Sequence, residues 1–217
     1  MNNIKLVIFD MDGLMLDSEI IAWKAWDAVK KNYNCDFNFE FYRNFIGTTE
    51  ASISSIMLET YGSDFPIKDF LNDAKKEKAR IVSVEGIAVK KGLVDLLDYL
   101  TKAGIKKAVA TSSHRNVMEN LLSLSNVLHY FDYSVCGDEI ENGKPSPDVF
   151  LKALDNAGAK TTEAFVLEDS INGILAAHNA NIPVIFIQDL VEAPVDTLGL
   201  VYKKMNDLSE VISVFEK

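Results

Sequence analysis

Cysteine is nearly absent: Cys35 and Cys136 are the only two in 217 residues, with no CxxC spacing and no histidine at metal-ligand spacing. That excludes a disulfide framework and a thiolate metal site, and two reduced, half-buried thiols are expected. Long apolar runs are missing as well. The longest, 6–9 and 183–187, fall far short of the roughly 20 residues that cross a bilayer. The N-terminus, Met1-Asn2-Asn3-Ile4-Lys5, passes directly into a strand-like run without the basic start, apolar stretch and cleavage site of a secretory signal, so a cytoplasmic protein is expected. Positive charge is in deficit: 22 Lys and Arg against 32 Asp and Glu give a net charge of −10, which repels nucleic acids and anionic membranes at long range. A small anionic substrate is compatible with that deficit, since it needs only a few fixed cations and a metal. There is no internal repeat and no low-complexity segment, and nothing in the sequence sets the oligomeric state, for which a monomer is a plausible form.

What is present is 48% hydrophobic and 25% charged residues, enough for one sizeable core and a small second unit. Short apolar runs at 4–9, 106–110 and 164–167, with further candidates at 133–136, 183–187 and 200–202, alternate with helically spaced stretches at 93–100, 117–124, 149–154 and 171–180. This pattern predicts an α/β fold, a Rossmann-like doubly wound parallel sheet covered on both faces. A strand–helix–strand crossover needs about 30 residues, yet roughly 95 separate Phe9 from Lys106. Something is inserted. The stretch 14–88 lacks strand alternation and reads as amphipathic helices, broken at Gly47-Thr48-Thr49 and again at 61–66, so a four-helix insert is expected. The predicted division is a core of 1–14 and 89–217 and a cap domain of 15–88. Trp23, Trp26 and Met57 are read as bundle core, and 75–80 as a solvated helix face.

In open parallel sheets, ligands bind beyond the carboxyl ends of the strands. Four candidates lie there. Asp10 and Asp12, in Asp10-Met11-Asp12-Gly13, follow the first run: one carboxylate can attack phosphorus and ligate a metal while the other acts as general acid and base, although an acidic turn also fits the motif alone. Thr111, Ser112 and Ser113 follow the second run, where hydroxyls and amides at a helix start suit an anion; a plain helix cap explains Ser113 equally well. Lys144 stands between Gly143 and Pro145 on a rigid turn. Glu168 and Asp169 end a buried run, where adjacent carboxylates repel unless a hard cation such as Mg²⁺ sits between them; a helix cap at Asp169 or Ser170 is the competing reading. Together the four supply what phosphoryl transfer needs.

The set Asp10-Met11-Asp12-Gly13, Thr111, Gly143-Lys144-Pro145 and Glu168-Asp169 resembles the four motifs of the haloacid-dehalogenase-like hydrolase superfamily, across essentially the whole chain. The resemblance is closest to the helical-cap subgroup that includes phosphosugar phosphatases and beta-phosphoglucomutase. It implies a phosphatase acting on a small phosphorylated metabolite, above all a sugar phosphate, through an aspartyl-phosphate. Asp10 would be the nucleophile and Asp12 the acid and base, while Thr111 and Lys144 would hold the phosphoryl oxygens. Mg²⁺ would be bound by the Asp10 carboxylate, the Asp12 backbone carbonyl, Asp169 and Glu168. Specificity would lie on the cap, with Gly47, Thr48, Thr49, Glu50, Trp23 and Trp26 as candidates; His114, after the Thr111 loop, is read as an exposed residue of a helix's first turn, with substrate contact as the alternative. The mutase branch carries a cap His and a cap Arg where this chain has Ala22 and Glu50; a Glu there repels a second phosphate, so hydrolysis is preferred over mutation. The phosphonate-hydrolysing branch needs a cap Lys in an apolar setting, and 75–78 reads as solvated. A phosphorylatable receiver-like signalling module shares the acid–hydroxyl–lysine combination but has no helical insert.

Overall fold

In a computed structural model, which describes residues 3–216, six strands form one parallel sheet in the order β3-β2-β1-β4-β5-β6. Met1, Asn2 and Lys217, which the predicted core boundaries include, lie outside the described residues. The strands are β1 (Leu6–Phe9), β2 (Lys106–Ala110), β3 (Tyr133–Val135), β4 (Ala164–Glu168), β5 (Val184–Ile187) and β6 (Lys203–Met205). β1 is central, and every residue of it is fully buried, as the unbroken apolar run Leu-Val-Ile-Phe requires of a strand covered on both faces. Phe9 pairs in register with Val109 of β2 and with Leu167 of β4. The strand order reverses at β1, so the residues following Phe9, Ala110 and Leu167 emerge side by side at a topological switch point.

Helices α5 (Leu93–Lys102), α6 (Arg115–Leu124), α7 (Asp148–Ala157) and α8 (Ile171–Asn179) connect the strands, with a single turn, α9 (Val195–Leu198), before β6. Side chains alternate across a strand, and Leu6, Ile8, Ala108, Ala110 and Val166 share one face with Phe150 and Ala153 of α7 and Ile174 and Ala177 of α8. The last strand differs from the reading at 200–202. Leu200 and Val201 only pack beside the core, and the strand is Lys203–Met205, paired with Ile185–Ile187. Lys203 and Lys204 are exposed, the usual protection of an edge strand, which is why apolarity points to the wrong three residues.

The chain divides into two compact units, one running to Asp17 and resuming at Ala88, the other spanning Ser18–Ile87. In the first unit the outgoing and returning segments pair: Asp17 N–H donates to the Ala88 carbonyl and Lys90 N–H to the Met15 carbonyl. The second unit holds α1 (Ser18–Val29), a single turn α2 (Phe39–Tyr42), α3 (Glu50–Tyr61) and α4 (Ile67–Glu85). Its core is aromatic. Trp26 meets Phe70 edge-on at 5.0 Å and Phe45 at 5.2 Å, and Met57 is fully buried beside them. Trp23 is half-buried. No helix among the described residues is long and apolar enough to cross a membrane.

Candidate active site

Leaving β1, the chain closes a tight loop on itself: Met15 and Leu16 N–H both donate to the Met11 carbonyl, and Gly13 N–H donates to Leu16. Gly13 has φ +82°, open to glycine and poorly accessible to other residues. A Cβ there would also collide with Oδ2 of Asp169. The loop thus holds Asp10 and Asp12 at the end of β1 and lets Asp169 come in against its backbone.

Lys144 occupies the centre. Its ammonium donates to Asp10 Oδ1, to Glu168 Oε1 at 2.6 Å and to the Ala110 carbonyl at 3.2 Å, and it lies 4.9 Å from the centroid of the buried Phe150 ring. The turn carrying it is clasped by Asp148, which accepts from Asn142 N and Nδ2 at 3.1 Å and from Ser146 Oγ at 2.5 Å. Asn179 on α8 adds a bond to the Pro145 carbonyl. A lysine held this way loses little further entropy on gripping an anion.

Glu168 is wholly buried. One oxygen carries Lys144; the other accepts from Asp169 N, Ser170 N and Ser170 Oγ at 2.9–3.0 Å. Its carboxylate fills the space a Cβ on Gly173 would need. Ser170 is also the N-cap of α8, accepting from Gly173 N, so the capping reading of this segment holds at Ser170.

Thr111 is buried, and its hydroxyl oxygen accepts from Ser113 N at 3.0 Å while its proton can still be donated to an anion. Ser112 is exposed. Ser113 is not a helix cap: His114 holds that position, and Asp138 accepts the Arg115 N–H of the first turn from the loop after β3. Instead Ser113 Oγ donates to Asp12 Oδ2 at 2.8 Å. That contact joins residues 101 apart in sequence, and no local signal announces it. Gly47 and Thr48 lie in the turn before α3, Gly47 with φ +71° and Thr48 bonded to the Phe45 carbonyl, and Glu50 pairs with Lys75 at 2.9 Å. The structure brings Asp10, Asp12, Thr111, Lys144, Glu168 and Asp169 together within the sheet unit, whereas Gly47 and Thr48 belong to the helical one.

The electrostatics are unbalanced. Burial, partly offset by Lys144 and reinforced by Glu168 and Asp12, pushes the Asp10 carboxyl up to about 8. Burial and the charges of Glu168, Asp10 and Asp189 raise Asp169 as well. Burial works against the Lys144 charge, but Asp10 and Glu168 outweigh it and hold its pKa above the ordinary lysine value. Asp10, Glu168 and Asp169 offer oxygens within 4.8 Å of one another, three carboxylates facing one ammonium. Asp169 Oδ1 is buried and finds no hydrogen-bond partner among the described residues. A hard divalent cation fits this set, since it supplies the missing charge and takes up the orphaned oxygen.

A sequence profile described as Haloacid dehalogenase-like hydrolase matches residues 7–187. A Thermotoga maritima protein named phosphorylated carbohydrates phosphatase is 32% identical over 83% of this chain and 83% of its own length. The Escherichia coli fructose-1-phosphate phosphatase YqaB is 29% identical over 84% of this chain and 95% of its own. Among solved structures, CbbY from Rhodobacter sphaeroides in complex with phosphate superimposes with a TM-score of 0.79 at 26% identity, over 96% of each chain.

Proposed function

The chain belongs to the haloacid dehalogenase-like hydrolase family, and on that premise we propose that it is a magnesium-dependent phosphatase of small phosphorylated metabolites, sugar phosphates foremost. The observation that carries this reading is the Lys144 bridge between Asp10 and Glu168 at the switch point of the sheet, with Asp12 two residues beyond the nucleophile. The names of the two curated relatives support the substrate class.

Asp10 attacks phosphorus, forming an acyl phosphate as the ester P–O bond breaks, and Asp12 gives its proton to the departing oxygen. Asp12 then takes a proton from water, whose oxygen attacks phosphorus, and the Asp10–phosphorus bond breaks to release phosphate. Lys144 and Thr111 hold the transferring oxygens, with the Ser112 backbone amide in the same loop. Asp10, Asp169, the Asp12 carbonyl and Glu168 would hold Mg²⁺, which when bound offsets the repulsion between phosphate and the carboxylates. The Ser18–Ile87 unit is assigned substrate selection as a cap domain, with Gly47 and Thr48 as contributors. Its Glu50, already paired to Lys75, is poorly suited to a second phosphate, which favours water over a sugar hydroxyl as the final acceptor.

The test is phosphate release from a panel of sugar phosphates with Mg²⁺, for the wild type and Asp10→Asn. The variant is expected to keep its circular dichroism spectrum and lose turnover by about 1,000-fold or more. Retained turnover would remove Asp10 from the role of nucleophile, and conversion of a hexose 1-phosphate to its 6-phosphate faster than phosphate release would make the enzyme a mutase.

A further inference from the structure

The geometry points to Ser113 as a positioning residue for Asp12, fixing the orientation of the carboxylate that moves protons; this rests on the reading of Asp12 as general acid and base. The hydrogen bond from Ser113 Oγ to Asp12 Oδ2 is 2.8 Å long and half-buried. Three features make it more than a chance surface contact.

First, the Ser113 backbone is pinned on both sides, its N–H on Thr111 Oγ1 at 3.0 Å and its carbonyl accepting from Gly137 N at 2.9 Å. Second, Gly137 leaves no room for a side chain, because the Ser112 carbonyl lies where its Cβ would stand, so the two loops are locked at their closest approach. Third, the service a serine usually gives at a helix start is performed by Asp138, which frees the Ser113 hydroxyl to point at Asp12.

The terminal torsion of an aspartate is broad, so a carboxylate on a loop has no preferred plane of its own. Ser113 imposes one. With Oδ2 accepting from Ser113, the carboxylate that passes the proton to the leaving oxygen, and later draws one from water, is already oriented. The benefit falls on the step in which the leaving group needs a proton. A sugar alkoxide needs it; p-nitrophenolate does not.

The experiment compares kcat/KM for fructose 1-phosphate and p-nitrophenyl phosphate in the wild type, Ser113→Ala, Ser113→Thr and Asp12→Asn, with Mg²⁺. Ser113→Ala should lower the fructose 1-phosphate value about tenfold and the p-nitrophenyl phosphate value less than about threefold, the scale of one lost orienting hydrogen bond. Ser113→Thr, which keeps the hydroxyl, should restore most of the loss, and Asp12→Asn should mark the limit of the contrast. Equal losses on both substrates would mean that Ser113 shapes the phosphate loop rather than Asp12, and would overturn the assignment, as would no loss at all. A wild-type protein inactive on both would instead overturn the phosphatase reading and this inference with it.

Discussion

Asp169 stands where a side chain on Gly13 would have to go: its Oδ2 lies far inside van der Waals distance of the Cβ position, and the Gly13 backbone has φ +82°. The loop bearing Asp10 and Asp12 and the acid just past the end of β4 are therefore fitted to one another through a missing side chain. Gly13→Ala should cost about 1–2 kcal/mol for the backbone conformation, with the displacement of Asp169 adding to it. Urea unfolding measures the first part. The second should appear as loss of Mg²⁺-dependent stabilisation, which a variant strained only in its backbone would keep.

The crowding of acids gives a pH dependence with a definite sign. In the metal-free protein the Asp10 carboxyl, raised to about 8 by burial, keeps a proton that the unfolded chain has released above about 4. The folded state thus binds more protons across that window, and its stability must fall as pH rises from about 4 to about 8, by up to about 1.4 kcal/mol for each pKa unit. Urea midpoints in EDTA at pH 5.5 and 8 should drop more for the wild type than for Asp10→Asn. Added Mg²⁺ should raise the wild-type midpoint more at pH 8 than at pH 5.5. Equal pH responses of the two proteins would show that Asp10 does not carry this charge.

A second acid behaves in the opposite way. Asp207 accepts from Lys91 Nζ at 2.7 Å and from Ser209 N at 2.9 Å, and these partners hold its carboxyl down to about 2. Its contribution is fully present above the unfolded value near 4 and disappears as pH falls through about 2. Asp207→Ala should destabilise by on the order of 1 kcal/mol at pH 7, as for a lost helix cap, and the gap to wild type should close between pH 4 and pH 2. A gap that stays constant over that range would rule out the charge as its source.

The parallel sheet is legible in the sequence because strands buried on both faces must be continuous apolar runs, and because the long interval between Phe9 and Lys106 can only be an insertion. Topology then dictates that residues just past Phe9, Ala110 and Leu167 converge. What the sequence does not reveal is decided through space. β6 carries its apolar neighbours outside the strand and lysines within it, since an edge needs protection more than burial. Ser113 reads as a helix cap until Asp138, from another loop, is seen to do that work. The glycines at 13 and 173 read as turn and helix residues; only the packed structure reveals that each yields its side-chain volume to a carboxylate.

The Gly173 case reaches beyond the site. Glu168 extends into the first turn of α8 through the space that Gly173 vacates, so the length of the acid at 168 and the size of the residue at 173 are a single choice. A larger residue at 173 becomes admissible only with a shorter acid at 168, and a shorter acid gives up either Lys144 or the amides of Asp169 and Ser170. The two positions must therefore drift together through evolution, and the glycine, though it has no side chain of its own, sets which carboxylic acid can stand at 168.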